Sequence, residues 1–309
     1  MQQQPSSPGL QRHPPGPADG LGSDPASADG VAVVQVIDRG IDAGDPVLVL
    51  LPAMGVASRF YWPLAEALAS RARATVCCVE LPGQGLSPLR AGHDDFGYAD
   101  VVDAALPRIV SALHRRHPSR PVYLIGHSLG GQLAVLATER IGAELAGVIL
   151  LAAGTAHHRA WPPALRLRAR LTVHAIALVA WLLPWYPGHR LGFGGRQARR
   201  WMRDWSHNAL KGGYRLHGPG RSGFRQPTLA EVDIPLLAIG IDGDAVAPRE
   251  AQRALLSLLP RARIEERTLH GRGQDSPWMR HFSWARQPDE VVAACCAWLA
   301  GRAGSGPAR

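Results

Sequence analysis

The chain has 309 residues, of which 46% are hydrophobic, so it is long enough to bury the core of one large α/β domain. Its formal net charge of +9 comes almost entirely from arginines that are spread along the whole chain. Nucleic-acid binding requires basic residues clustered with aromatic ones on a recognition element. The dispersed arginines therefore argue against a nucleic-acid partner.

The two ends of the chain, residues 1–30 and 301–309, have the composition of a disordered tail and a flexible tail. The first of these contains no apolar h-region, so we expect no secretory signal peptide. The four cysteines form two adjacent pairs without the C-x-x-C spacing of a metal site. We therefore expect free buried thiols, no metal and a cytoplasmic location.

From residue 31 onward, short apolar runs alternate with stretches of helical periodicity. This alternation is typical of an α/β fold whose mostly parallel sheet is covered by helices on both faces. The predicted strands occupy 31–37, 46–52, 74–81, 121–126 and 146–154, and the predicted helices occupy 60–72, 98–117 and 130–142. Pro107 should kink the second of these helices.

The alternation stops near residue 157 and resumes at residue 234. The segment IPLLAIGIDGDAVAP at 234–248, a helix over 249–260, a strand over 262–269 and a helix over 288–300 complete the pattern. The sequence thus predicts one core, residues 31–156 and 230–300, with an insertion after the sixth strand. This insertion, residues 157–229, is called the cap segment below.

Ser128 lies in the sequence LIGHSLGGQL, where Gly126 and Gly130 flank it at the spacing G-x-S-x-G. A predicted strand precedes the motif and a predicted helix follows it. Such a strand–turn–helix elbow exposes the serine hydroxyl at the end of the sheet, and a Cβ at either glycine would collide with neighbouring elements. The pattern predicts that Ser128 is a catalytic nucleophile.

An oxyanion formed on attack by Ser128 needs two hydrogen-bond donors. The N–H of Leu129 lies at the start of the helix, where the helix dipole favours negative charge. The second donor is expected in the loop LPAMGV, residues 51–56, and we assign it to the N–H of Met54. Pro52 has no N–H to donate.

The acid and the histidine of a catalytic triad should follow later strands. The loop IGIDGDAVAP offers Asp244 and Asp242, and we favour Asp244 with Asp242 as the runner-up, because Asp242 suits a turn. Of the two candidate histidines, His270 comes directly off a strand, and His281 lies in a loop before the last helix. We favour His281, because its position along this loop lets the imidazole reach back over the sheet to Ser128. The order Ser128, Asp244, His281 is the one expected for such a fold.

Five segments together make the chain resemble the α/β-hydrolase superfamily over residues 31–300. They are PAMGVASRFYWPLAEAL, ELPGQGLS, GHSLGGQL, GDAVAP and RHFSW. The chain is similar to a bacterial branch grouped with serine-aminopeptidase-like or lysophospholipase-like hydrolases. That branch carries its histidine in GHF, where this chain has Arg280 in place of the glycine, and the acid loop is one residue longer than usual, which keeps Asp242 open.

The resemblance implies a mostly parallel sheet of about eight strands and an esterase or lipase-like serine hydrolase that needs no cofactor. The expected substrate is a small-molecule carboxylic ester with an apolar, lipid-like acyl group. The alternatives are a thioesterase, a peptidase or a cofactor-free haloperoxidase on the same triad, because fold and triad do not choose the substrate. A homologue that binds a ligand without catalysis is the alternative outside the enzymes.

The cap segment contains an apolar stretch, LTVHAIALVAWLLPWYP, at residues 171–187. It is shorter than the roughly 20 apolar residues of a transmembrane helix and it ends in proline. Arginines and tryptophans flank it on both sides. One interpretation of the stretch is a buried core helix. Its position in an insertion over the active site favours the other interpretation, a helical lid that walls an acyl pocket and makes weak peripheral contact with membranes.

Overall fold

The computed structural model describes residues 31–40, 42–218, 223–270 and 276–303. Within these ranges eleven strands are found. They are β1 (Ala32–Asp38), β2 (Val47–Leu51), β3 (Thr75–Glu80), β4 (Val122–His127), β5 (Gly147–Leu151), β6 (Trp185–Pro187), β7 (Arg196–Ala198), β8 (Leu216–His217), β9 (Phe224–Arg225), β10 (Pro235–Ile241) and β11 (Arg263–Leu269).

Seven of these strands form the central sheet, in the order β1-β3-β2-β4-β5-β10-β11. The edge strand β1 pairs with β3 antiparallel, and every other neighbouring pair is parallel. The central strands are buried on both faces, which is why they read as continuous apolar runs without alternation. In β3, for example, Cys77 points into one core cluster and Cys78 into the other.

Helices cover both faces of this sheet, as the alternation predicts. The described residues contain α1 (Trp62–Arg71), α2 (Leu106–Arg116), α3 (Leu129–Ile141), α4 (Pro163–Leu182), α5 (Gly188–Leu191), α6 (Arg199–Lys211), α7 (Arg249–Leu256), α8 (Pro277–Ser283) and α9 (Asp289–Ala303). None of them is long and apolar enough to cross a membrane.

The sheet has seven described strands where about eight were expected. Five described strands precede the cap segment, so it follows β5 and not a sixth strand. Residues 1–30 and 304–309, which hold most of the two predicted tails, lie outside the described residues. Residues 301–303 complete α9, so the last helix ends later than expected.

The irregularity expected at Pro107 takes the form of a π-helical turn over Asp100–Ala105, which leads into α2. The N–H of Leu106 bonds the carbonyl of Val101, five residues back. Proline has no N–H to continue the α-helical ladder, so the wide turn lies before it and Pro107 occupies the first turn of α2.

Candidate active site

Ser128 stands at the sharp turn between β4 and α3, with φ 53° and ψ −117°. A positive φ is uncommon for a residue with a side chain and costs backbone strain. The N–H of Ser128 donates to the carbonyl of Leu151 at 3.0 Å, which fixes the turn against β5. Its side chain is partly exposed. The geometry is that of the elbow predicted from the glycine spacing.

The glycines beside Ser128 allow this turn to pack closely. A Cβ on Gly126 would lie 2.4 Å from the Cα of Gly131, and a Cβ on Gly130 would lie 2.4 Å from the carbonyl oxygen of Leu51. Both contacts are with backbone, which cannot rotate away. The second shows that the elbow directly abuts the end of β2, where the loop carrying Met54 begins.

His281 and Asp244 form a buried pair. The Nδ1 atom of His281 lies 2.7 Å from Oδ2 of Asp244, and the two side chains are 1% and 0% exposed. The other carboxylate oxygen, Oδ1, accepts the N–H groups of Val246 at 2.7 Å and Ala247 at 3.0 Å. An aspartate that accepts at Nδ1 holds the proton of a neutral imidazole on that nitrogen, so Nε2 is left as the basic atom.

The alternative candidates have different surroundings. Asp242 and His270 are both exposed, and the hydrogen bond of His281 goes to Asp244. His281 itself lies on the short helix α8, whereas the sequence analysis predicted a loop. Ser276 caps the start of this helix by accepting the N–H of Met279 at 3.3 Å. Arg280 donates to the carbonyl of Asp242 at 3.2 Å, so this departure from GHF ties α8 to the acid loop.

The loop after β2 presents two consecutive N–H groups near the elbow, those of Ala53 and Met54. The N–H of Ala53 donates to Oη of Tyr61 at 3.0 Å, whereas Met54 is the next donor along the loop. On the elbow itself, Leu129 is the first residue of α3, where a helix has no carbonyl of its own to receive the N–H. Met54 and Leu129 therefore stand on segments that touch.

A chain of buried hydrogen bonds links this loop to the histidine. Oη of Tyr61 lies 2.7 Å from Nδ1 of His127, and Nε2 of His127 lies 3.0 Å from the carbonyl oxygen of His281. The carbonyl of His281 can only accept, so Nε2 of His127 carries a proton. Nδ1 of the neutral ring therefore accepts the proton of Tyr61 Oη, which in turn accepts the N–H of Ala53. The His281 carbonyl also accepts the indole N–H of Trp284 at 2.9 Å.

This chain requires a neutral His127. Burial, followed by the nearby His281, holds the pKa of His127 well below its ordinary value of 6.5. The sequence analysis did not identify either His127 or Tyr61. Two features of the sequence could have pointed to them. His127 directly precedes Ser128, and Tyr61 lies in an aromatic run, Phe60 to Trp62, after the loop that follows β2.

Glu80, at the end of β3, binds the segment that follows the loop containing Met54. Its carboxylate accepts the N–H of Ser58 at 3.1 Å, the hydroxyl of Ser58 at 3.0 Å and the N–H of Leu86 at 3.4 Å. Burial raises the pKa of Glu80 above its ordinary value. Glu80, Arg59 and Arg196 line a cavity of about 470 Å³, which neither Ser128 nor His281 lines.

The cap segment contacts the loop that follows β2 and contains Met54. A Cβ on Gly194 would lie 2.8 Å from Cε of Met54, and one on Gly55 would lie 2.6 Å from the backbone of Gly194. Met54 also packs against the same apolar cluster as Trp185 and Phe193 of the cap segment. In the described part of the chain, no group of three or more His, Cys, Asp or Glu residues is placed to hold a metal ion.

Comparison with known proteins gives a family match over most of the chain. Residues 48–294 match the sequence profile of the alpha/beta hydrolase family. The chain is also similar to the biotin biosynthesis bifunctional protein BioHC of Cellvibrio japonicus (strain Ueda107), at 36% identity over 108 residues. That match takes in 35% of this chain and 19% of BioHC, so the chain covers only a minor part of that protein.

Solved structures share the fold at low sequence identity. Est1E of Butyrivibrio proteoclasticus, with ferulic acid bound, gives a TM-score of 0.56 at 13% identity and covers 86% of this chain and 94% of its own. A monoacylglycerol lipase of Paleococcus ferrophilus gives a TM-score of 0.52 at 18% identity, covering 83% and 95%. At these identities the likeness concerns the fold alone.

Proposed function

The chain belongs to the alpha/beta hydrolase family, and we propose that it is a serine hydrolase that cleaves carboxylic esters. The observation that carries the proposal is the strained elbow of Ser128 beside the buried His281–Asp244 pair. The ring centroid of His281 lies 4.7 Å from that of His127, the residue that directly precedes Ser128. Nucleophile, base and acid are thus assigned to Ser128, His281 and Asp244.

In the proposed mechanism, Nε2 of His281 takes the proton of the Ser128 hydroxyl as its oxygen attacks the ester carbonyl. Asp244 holds the imidazole in the required tautomer and stabilises the imidazolium that forms. The imidazolium then gives its proton to the leaving alcohol, which leaves an acyl-enzyme. Water, deprotonated by His281, cleaves the acyl-enzyme and restores Ser128.

The oxyanion of each tetrahedral intermediate is assigned to the N–H groups of Met54 and Leu129. Two observations support these donors. The contact between Gly130 and Leu51 brings the two segments together, and the Ala53 N–H is already engaged by Tyr61. Leu129 also lies at the positive end of the α3 dipole, which favours negative charge.

The proposed substrate is an ester with an apolar acyl group. Met54 meets Gly194 of the cap segment, and the apolar side chains Ile176, Trp185 and Phe193 of that segment pack against the same core cluster as Met54, which favours an apolar acyl group. We assign residues 157–229 as a cap over this site. Because apolar esters partition into lipid, we include peripheral membrane contact through the cap in the proposal.

A fluorophosphonate probe tests the nucleophile. We expect it to label the wild-type protein and to leave Ser128→Ala unlabelled, with Ser87→Ala as a control that is labelled normally. Ser87 is buried, and its hydroxyl accepts the backbone N–H groups of Gly83 and Leu89 in a turn. Equal labelling of wild type and Ser128→Ala would contradict the assignment.

A substrate panel distinguishes an esterase from a thioesterase and a peptidase. It compares acetyl with medium-chain p-nitrophenyl esters, and each ester with the matching thioester and anilide. We expect the medium-chain ester to be cleaved faster than the acetyl ester. A preference for the thioester or the anilide would move the protein to a thioesterase or a peptidase, and no turnover of any member would favour a binding protein.

A further inference from the structure

The long cap helix α4 has two apolar faces, of which only one is used by the fold. Val173 and Ala180 are its only buried residues, and they lie on the same side. The opposite side carries large apolar side chains within an arc of about 100°, at 100° per residue. The exposed His174 is the one ionisable side chain within this arc. This outward stripe consists of Leu167, Leu171, Leu178, Trp181 and Leu182, which are 68%, 63%, 55%, 73% and 59% exposed.

Exposure of this kind is unusual. Single exposed leucines are normal on protein surfaces, but a contiguous apolar patch marks an interaction site. The described residues contain twelve large hydrophobic side chains that are exposed, and five of them form the outward stripe. A helix that only covered the core would carry polar residues on this side.

The charge around the outward stripe has one sign. Between Glu144 and Asp204 the chain contains nine arginines and no aspartate or glutamate. Arg166, Arg168 and Arg170 are exposed at the N-terminal half of α4. By helical geometry, Arg168 borders one edge of the stripe, and Arg166 and Arg170 border the other. The apolar stripe is thus flanked by cations on both sides.

We propose that the outward stripe of α4 docks on a lipid bilayer that carries anionic headgroups. An apolar face edged with arginines is the pattern of a helix that lies in the plane of the bilayer surface. Leu171, Leu178 and Trp181 enter the acyl boundary, while the arginine stems extend along it and place their guanidinium groups at the lipid phosphates.

Docking by this face has a consequence for the active site. The hairpin of β6 and β7 follows α4, and the loop between these strands contacts Met54 through Gly194. A bilayer against α4 therefore lies on the cap that covers the proposed site. The inference rests on the membrane contact included in the proposed function and assigns it to one face of α4, and the docking can be measured without turnover.

Vesicle flotation tests the proposal with the full chain. One set of vesicles contains phosphatidylcholine alone, and the other also contains phosphatidylglycerol. The buffers have low salt, with a Debye length of about 30 Å at about 0.01 M, and high salt, with about 3 Å at about 1 M. We expect wild type and Ser128→Ala to float equally with the anionic vesicles at low salt, and much less at high salt or with neutral vesicles.

Two pairs of variants locate the face. Leu171→Glu/Leu178→Glu should reduce binding at least tenfold, whereas Leu86→Glu, at a leucine 73% exposed outside the cap segment, should not. Arg168→Gln/Arg170→Gln should reduce binding to anionic vesicles about 25-fold, at about fivefold per arginine near the surface. Arg115→Gln/Arg249→Gln makes the same change in net charge away from α4 and should have little effect.

Several outcomes would overturn the docking proposal. Absence of flotation with anionic vesicles at low salt is one, and wild-type binding by the Leu171→Glu/Leu178→Glu variant is another. A wild-type dimer in sedimentation that this variant dissociates, without vesicle binding, would make a second copy the occupant of the stripe. A protein that floats as expected but is not labelled at Ser128 would leave the docking intact and overturn the proposed function.

Discussion

Asp242 and Asp244 lie two residues apart, yet they have opposite environments. Asp242 is exposed on the loop after β10, whereas the Asp244 carboxylate is 0% exposed, accepts two N–H groups and meets His281. Gly243, at φ 70°, separates them and lets the loop turn so sharply. A buried carboxylate with these partners is suited to orient an imidazole, and an exposed one is not.

This difference makes the first prediction. Asp244→Asn should lower kcat about 10⁴-fold, because the imidazole loses both its tautomer and the partner of its charged form. Asp242→Asn should change kcat less than threefold or so, since its side chain makes no contact with His281. Steady-state kinetics on the best ester of the panel provide the measurement. The reverse ranking would move the acid to Asp242.

His127 provides a second prediction at the residue scale, concerning stability and pH. Its pKa is lowered in the folded protein, so between that value and 6.5 the unfolded chain binds more protons. The free energy of unfolding therefore falls as pH drops below 6.5, by up to about 1.4 kcal/mol per pH unit. Above this window the group contributes no pH dependence.

His127→Gln should remove this slope, because the glutamine amide can still donate to the His281 carbonyl but cannot be protonated. Urea unfolding of wild type and variant from pH 7.5 down to pH 5 gives the comparison. His93→Gln, at an exposed histidine, serves as the control and should leave the slope unchanged. Parallel curves for wild type and His127→Gln would show that His127 titrates normally in the folded protein.

At the scale of elements, Tyr61 joins three segments that come from distant parts of the sequence. It follows the loop after β2, accepts the Ala53 N–H, and donates to His127 at the end of β4. His127 continues the connection to α8 through the carbonyl of His281. The relative placement of loop, elbow and histidine thus depends on one buried hydroxyl.

Tyr61→Phe should lower kcat about 10- to 100-fold with little change in KM, because a displaced loop misplaces the Met54 donor in the transition state. It should also cost about 1–3 kcal/mol of stability, since the Ala53 N–H loses its acceptor. Tyr98→Phe is the matched control, because Tyr98 is equally buried and its hydroxyl has no hydrogen-bond partner among the described residues. Equal kinetic effects of the two variants would rule out a positioning role for Tyr61.

At the scale of the whole molecule, several polar contacts attach the cap segment to the core, and the most buried guanidinium among them is that of Arg200 on α6. This guanidinium is 4% exposed and lies 2.6 Å from the Asp100 carboxylate and 2.8 Å from the carbonyl of Asp95. It also donates to the carbonyl of His217 within the cap segment, at 3.0 Å. The π-helical turn before α2 presents Asp100 to the cap, so the core and the cap share this contact.

Arg200→Ala should destabilise the protein by about 3 kcal/mol, because removal of one partner leaves buried acceptors and a carboxylate without their donor. Arg199→Ala is the neighbouring control, at an exposed arginine that bonds the carbonyl of Leu183, and should cost less than about 1 kcal/mol. Urea unfolding measures both, and limited proteolysis within residues 157–229 reports release of the cap. Similar losses in the two variants would contradict the role given to Arg200.

The sequence by itself determined the α/β alternation, the elbow at Ser128 and the order in which acid and histidine candidates follow it. Local signals suffice for these features, because apolar periodicity marks buried strands and helices, and glycine spacing marks a tight turn. The tertiary structure alone decided that Asp244 and not Asp242 meets His281, that Tyr61 and His127 connect the loops, and that α4 leaves an apolar face outward. The first two depend on which side chains lie together in space across 37 to 154 residues of chain, and such distances leave no periodic trace in the sequence. The third depends on which face of α4 the rest of the fold covers.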